Sequence, residues 1–307
     1  MSNAPDFTIH CLGCGSAKPS LRHNPSSTVL DCRGNLFMID CGEGAQRTFQ
    51  QQRLKFSRLG HVFLTHLHGD HVFGLPGLIG TLALSGGGGS ITIHTFEEGK
   101  RILTDIFDYF CRDTPFDIRF NVLSPAEETV IFENNAMTVR TIPLSHRVPT
   151  VGYVFEEKPG LAHINREMCD FHGVPISQMR AIKGGADFVK PDGTVIPHAM
   201  LTRPADPPRS YAHIGDTKYM PTLADKIRGV SLLYHETTYL ESDKALAGPR
   251  GHSTALQAAT VARDAGVGAL LTGHYSSRYH DDALFAAEAK EVFPTVITGR
   301  EGLRIPL

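Results

Sequence analysis

The stretch His61–Ile79, HVFLTHLHGDHVFGLPGLI, constrains this chain more than any other, because His66, His68, Asp70 and His71 crowd into one short turn. Imidazole and carboxylate groups packed this closely lose rotamer freedom and compete for water, so the crowding needs a compensating ligand. Ring nitrogens and carboxylate oxygens are donors that zinc accepts. Four of them at one turn exceed the three protein ligands of an ordinary catalytic zinc. Two metals sharing ligands account for the excess. The apolar, β-rich residues just before the cluster make it a loop leaving a strand.

Other runs read the same way: NLFMIDCGEG, MTVRTIPLSH, SYAHIGDT, VSLLYHE and GALLTGH are expected strands ending in turns. His66, His146, Asp216, His235 and His274 each fall at or just past the end of one of them. Strand ends along one edge of a sheet converge, and open α/β sheets build their sites there. Between strands, STALQAATVARDAG has helical spacing, with Thr254 and Gln257 in capping-box register and Gly266 as its stop. The Gly86–Gly89 run reads as a loop joining a helix to a strand.

The 307 residues are 41% hydrophobic and 20% charged, which suits a globular α/β chain with a large core. A net charge of −2 means that any nucleic-acid contact must come from a local basic patch. No apolar run approaches the roughly 20 residues of a membrane-spanning helix. MSNAPDFTIHCLGCG lacks a basic start and an apolar h-region, so no signal peptide is expected and a cytoplasmic location is the default. Cys11 and Cys14 form a C-x-x-C without a second pair, so they read as small packed thiols.

THLHGDH at Thr65–His71 resembles the signature of the metallo-β-lactamase superfamily. LSH ending at His146, GDT around Asp216 and GH at His274 resemble its later motifs. HGDHVFGLPGLI, HETTY (His235–Tyr239), GHSTALQAA (Gly251–Ala259), HYSSRY (His274–Tyr279) and LRHNPSS (Leu21–Ser27) are together similar to the ribonuclease Z family, which removes 3′ trailers from precursor tRNA. The resemblance implies one α/β domain over residues 1–307, a four-layer αβ/βα sandwich of two similar halves. It implies that His66, His68 and His146 hold one Zn²⁺. Asp70, His71 and His274 would hold a second, with Asp216 between them. It also implies precursor tRNA as the substrate and a homodimer, the form common in the family, while the lack of a long apolar run argues against membrane contact.

Phosphodiester hydrolysis needs an activated water, a neutralised phosphate and a protonated leaving oxygen. On this reading Asp70 accepts the water's proton as well as ligating, and His252, oriented by Glu236, donates to the leaving 3′ oxygen. Arg278 can grip a phosphate bidentately. His235 should point to the strand face opposite Glu236. His10, His61, His94 and His280 have no partner motif and read as structural.

Residues 159–209 are longer than an ordinary loop. The resemblance implies a protruding arm over residues 160–200 that grips the tRNA body, and the GVP turn and PDGTVI match it. Where relatives carry a Gly-Pro pair and several lysines, this chain reads ISQMRAIKGG, leaving Arg180, Lys183 and Lys190 as the obvious phosphate contacts. Two other readings stay open on sequence: a small-molecule phosphodiesterase or esterase on the same metals, and a non-catalytic zinc-bound RNA-binding protein.

Overall fold

Side chains alternate across a strand, and this sorts the first strands onto two apolar layers. In Asn35–Ile39, Leu36 and Met38 join one buried cluster while Phe37 and Ile39 join another. The computed structural model of the chain describes residues 7–85 and 89–307, so Gly86–Gly88 of the glycine run lie outside the described residues. The first cluster lies under the helices Ala45–Gln51, Leu75–Leu84 and Glu97–Phe110, which contribute Phe49, Leu78, Ile79, Leu103 and Phe107. The second lies between two sheets. There Phe63 meets Tyr153 and Phe155 edge-on, with ring centroids 5.3 Å apart in each pair.

Each sheet has seven strands. The first runs, in spatial order, Arg304–Pro306, Phe7–Gly13, Ser27–Cys32, Asn35–Ile39, Leu59–Phe63, Ser90–Thr95 and Asp117–Val122. Its start is an antiparallel meander and its later pairs are parallel. The second runs Val296–Thr298, Ala269–Gly273, Leu232–Glu236, Ser210–Ile214, Val151–Glu157, Met137–Pro143 and Val130–Glu133. Its first four strands are parallel. The helix Ala255–Ala265 packs Ala255, Ala259 and Ala262 into the same core. The expected capping box at its start is present, and Gly266 ends it in the left-handed conformation (φ 62°). This is the α/β sandwich of two mixed sheets flanked by helices.

Backbone contacts divide the chain into two units, Met1–Phe155 with Ser210–Leu307 and Glu156–Arg209. The second unit contains the whole 160–200 insertion. It has its own small core of Cys169, Val174, Ile182, Phe188, Ile196 and Leu201. Asn165 caps the helix Arg166–His172 through the Met168 amide, and Gly173 ends it at φ 71°. Between the two ends of this segment Arg209 forms a two-pronged pair with Glu157, at 2.9 Å on each oxygen. All six cysteines are free thiols, and among the described residues no helix is long and apolar enough to cross a membrane.

Candidate active site

Asp216, just past Ser210–Ile214, is fully buried and divides its two oxygens between two groups of donors. Oδ2 lies 3.7 Å from His66 Nε2 and 3.7 Å from His146 Nε2. His68 Nδ1 completes that group, 3.0 Å from His66 Nε2 and 3.4 Å from His146 Nε2. Oδ1 faces the other group, 3.6 Å from His71 Nε2 and 3.1 Å from His274 Nε2. Asp70 Oδ2 sits 3.6 Å and 3.5 Å from those same two nitrogens. Both sets therefore bring together the residues that the family resemblance grouped.

The donor set fits metal ions on two counts. Tetrahedral coordination at about 2.0–2.1 Å from each donor requires donor–donor edges of about 3.3 Å, and the measured separations scatter around that value. Asp216 Oδ1 is also buried with no hydrogen-bond partner among the described residues. A native core rarely leaves a carboxylate oxygen so, unless an ion is its partner.

Four of the five donor histidines are oriented through the ring nitrogen turned away from the site. His71 Nδ1 bonds Asp40 Oδ2 at 2.7 Å, His146 Nδ1 bonds the Gly251 carbonyl at 2.7 Å, His66 Nδ1 meets Thr65 Oγ1 at 3.1 Å, and His274 Nδ1 meets Thr238 Oγ1 at 2.9 Å. Such partners fix which nitrogen is free to bind metal. Glycine is required at 251, because a Cβ there would meet His146 Nδ1 at 2.5 Å and the backbone has φ 81°. Asp40 and His274 take positive φ as well, 55° and 60°, rare conformations that cluster at functional positions.

Burial drives the pKa values of His66, His68 and His146 down, which keeps these rings neutral, the form that ligates. Burial opposes the charge on Asp216, yet the surrounding histidines hold it well below the ordinary carboxylate range. Asp70 is lowered too, by a hydrogen bond to His274 and the charge of His71, against burial.

Beside these donors stands the pair Glu236–His252. Glu236 ends the strand Leu232–Glu236 and is fully buried. Its Oε1 accepts from His252 Nδ1 at 3.1 Å and from the Ser253 amide at 2.9 Å. Burial pulls the His252 pKa down, but the Glu236 carboxylate beside it pushes it up to about 9. His252 Nδ1 is 3.9 Å from Asp216 Oδ2, so the pair adjoins both donor groups. His235, its neighbour in sequence, bonds the Glu236 carbonyl through Nδ1 and takes no part in the site.

His68, Asp70, Asp216, His252 and His274 line a cleft of about 610 Å³, which Lys18, Arg147 and Arg250 also line. No motif announced these three cations. Arg278 is not among the lining residues. It pairs with Asp243 at 3.3 Å and lies over the Tyr239 ring, 5.3 Å from its centroid. Arg250 touches the same ring residue, donating to the Tyr239 hydroxyl at 2.8 Å. Arg180 and Lys183 lie on the short helix Met179–Lys183 of the second unit, and Lys190 on the turn of its Phe188–Ile196 hairpin; the first two are exposed and Lys190 is half-buried. Sequence reasoning passed over Asp40, Thr65 and Thr238. The signal for Asp40 was its place at the end of NLFMID, the same strand-end position as the ligands.

Two facing mixed sheets with a His/Asp donor cluster beyond the strand ends define a metallo-β-lactamase-fold protein. The short form of human tRNase Z shares this fold, with a TM-score of 0.69 over 97% of this chain and 98% of that one at 23% identity. A family model described as anti-Pycsar protein Apyc1 matches residues 7–103. Ribonuclease Z of Parabacteroides distasonis is 50% identical over 300 residues, covering 98% of this chain and 99% of that one. Ribonuclease Z of Porphyromonas gingivalis is 46% identical over 301 residues, with 98% and 99% coverage. The chain belongs to the ribonuclease Z family.

Proposed function

We propose that the chain is a zinc-dependent endoribonuclease that removes the 3′ trailer from precursor tRNA and leaves a 3′-hydroxyl on the tRNA. Beyond family membership, the observation that carries this reading is the Glu236–His252 pair set against a four-donor group, His66, His68, His146 and Asp216, and a three-donor group, Asp70, His71 and His274, which Asp216 Oδ1 also faces. Phosphodiester hydrolysis needs both halves of that arrangement.

His66, His68 and His146 would hold one Zn²⁺, and Asp70, His71 and His274 the other, with Asp216 between them. When bound, the ions supply a water of lowered pKa and neutralise the phosphate's charge. Asp70 takes the proton of the attacking water. The Ala17 amide, donating to Asp70 Oδ2 at 2.7 Å, keeps that carboxylate aimed into the cleft. The Glu236 carboxylate favours the charged form of His252 and anchors the ring through Nδ1. The ring therefore presents Nε2–H to the leaving 3′ oxygen. Lys18, Arg147 and Arg250 bind backbone phosphates flanking the scissile bond. Arg278 reaches a phosphate on exchanging Asp243 for it. Arg180, Lys183 and Lys190 in the 160–200 insertion contact the tRNA body.

Two copies would pair through the exposed Phe73 and Ile102, which line an apolar groove of about 260 Å³, together with the exposed Tyr109 and Phe110 at the end of the helix Glu97–Phe110. A cytoplasmic location is compatible with such a substrate.

The purified chain is to be incubated with a 3′-extended precursor tRNA and with bis(p-nitrophenyl) phosphate, each with and without chelator. Chelator-sensitive release of an intact trailer supports the reading. Cleavage of the small diester alone overturns the tRNA assignment.

A further inference from the structure

Thr238 lies where the two halves of the site meet. Its Oγ1 is 2.6 Å from Glu236 Oε2, 2.9 Å from His274 Nδ1 and 3.3 Å from His252 Nδ1. A threonine hydroxyl has one proton to give and can accept in other directions. The shortest of the three contacts runs to a carboxylate oxygen, which only accepts. Glu236 is a dedicated acceptor: the Thr217, Thr238 and Ser253 amides and His252 Nδ1 all point at it. The hydroxyl proton therefore goes to Glu236.

That leaves the Thr238 oxygen to act only as an acceptor toward the rings. His274 must supply the proton of its own bond, at Nδ1. Its Nε2 is then bare, and Nε2 is the atom that stands 3.1 Å from Asp216 Oδ1 and 3.5 Å from Asp70 Oδ2. We propose that Thr238 is a positioning residue that sets the tautomer of His274, so that one buried carboxylate, Glu236, orients the proton donor directly and one metal ligand through a hydroxyl. Thr65 has the matching geometry toward His66. It donates to Asp40 Oδ2 at 2.8 Å, and its oxygen stands 3.1 Å from His66 Nδ1. The two hydroxyls thus serve one histidine in each donor group.

The inference rests on the metal reading above, and the experiment separates the two. Valine is close in shape to threonine but lacks the hydroxyl, so Thr238→Val leaves His274 Nδ1 unpaired and the ring free to take either tautomer. Zinc held by the Asp70, His71 and His274 group should weaken roughly 10- to 100-fold, the usual range for losing such a partner. Thr238→Ser keeps the hydroxyl and should restore most of the affinity. The readout is zinc release from the full chain under a graded chelator, with the melting temperature of the metal-free variants as the check on folding. A second readout needs no variant: long-range proton–nitrogen correlation on zinc-loaded protein with ¹⁵N-histidine should find His274 protonated at Nδ1.

If the parent chain takes up no zinc, the metal reading falls and this inference with it. If the parent holds two equivalents and Thr238→Val releases both with parental affinity, the metal reading stands and the role of Thr238 is overturned. Should Thr238→Val fail to fold, parental zinc affinity in Thr238→Ser supports the assignment. A proton on His274 Nε2 in the parent overturns it.

Discussion

Asp40 accepts the Nδ1 proton of His71 at 2.7 Å, and both side chains are buried from solvent. The Thr65 amide and hydroxyl, each at 2.8 Å, occupy the rest of that carboxylate. Asp40 touches no metal-facing atom, yet it fixes the ring that does. Asp40→Asn keeps the shape and removes the charge. It should weaken zinc binding by the Asp70, His71 and His274 group roughly 10- to 100-fold, with Asp40→Ala worse. Chelator competition measures this, and parental affinity in both variants would show that His71 needs no such partner.

Seven donors sharing one aspartate imply about two equivalents of zinc per chain. Elemental analysis after reconstitution should find them. His66→Ala and His71→Ala each break one set, so each should lose metal and cleavage. One equivalent or none in the reconstituted parent contradicts the shared site.

His252→Ala separates chemistry from binding. Proton donation to a leaving oxygen is made only in the transition state. Zinc content and KM for precursor tRNA should therefore stay near parental, while kcat falls roughly 10²- to 10⁴-fold. A parental kcat would remove His252 from the reaction.

Deleting residues 160–200 removes an element with its own small core and no metal donor. Hydrolysis of bis(p-nitrophenyl) phosphate should survive, and precursor tRNA cleavage should fall through KM. Replacing Arg180, Lys183 and Lys190 by alanine should do the same more mildly. It should also flatten the salt dependence by up to about three contacts, each near 0.9 in log–log slope. An unchanged KM after deletion would place the tRNA grip elsewhere.

His61 and His94 carry a pH prediction away from the metals. His61 Nδ1 lies 3.1 Å from His94 Nε2, and His94 stacks on Phe63 with centroids 4.1 Å apart. Burial lowers the two pKa values to about 4 and about 3. Unfolded histidine titrates near 6.5, so below that pH the unfolded chain binds protons that the folded chain refuses. The stability this pair contributes is complete above about pH 6.5 and is lost as pH falls toward 4. Urea midpoints between pH 7 and 4.5 should drop, and His61→Gln should make the drop shallower. An identical slope in that variant would discharge His61 from the effect.

The candidate donors were legible in part from local rules, since each lies just past an expected strand, but the same rule marked His235, which takes no part, and the family motifs made the selection. Alternating apolar runs locate strands, and the residues just past them divide between the sheets: His66 to His71 follow a strand of the first, while His146, Asp216 and His274 follow strands of the second, so only the facing of the two sheets brings them together. The capping box at Thr254 and Gln257 is wholly local. What only the tertiary structure decided is pairing between residues distant in sequence. Asp40 meets His71 and Thr238 meets His274 because neighbouring strands set their loops side by side, and the Gly251 carbonyl meets His146 because the end of the helix Lys244–Arg250 comes against the loop after Met137–Pro143; no periodicity along one segment encodes that. Long side chains show the same limit: Arg278 turns to Asp243 and Tyr239, while Lys18, Arg147 and Arg250 face the cleft without any motif. The direction of a flexible, charged chain depends on which opposite charge or ring packs beside it, and that is settled only when the sheets close on each other.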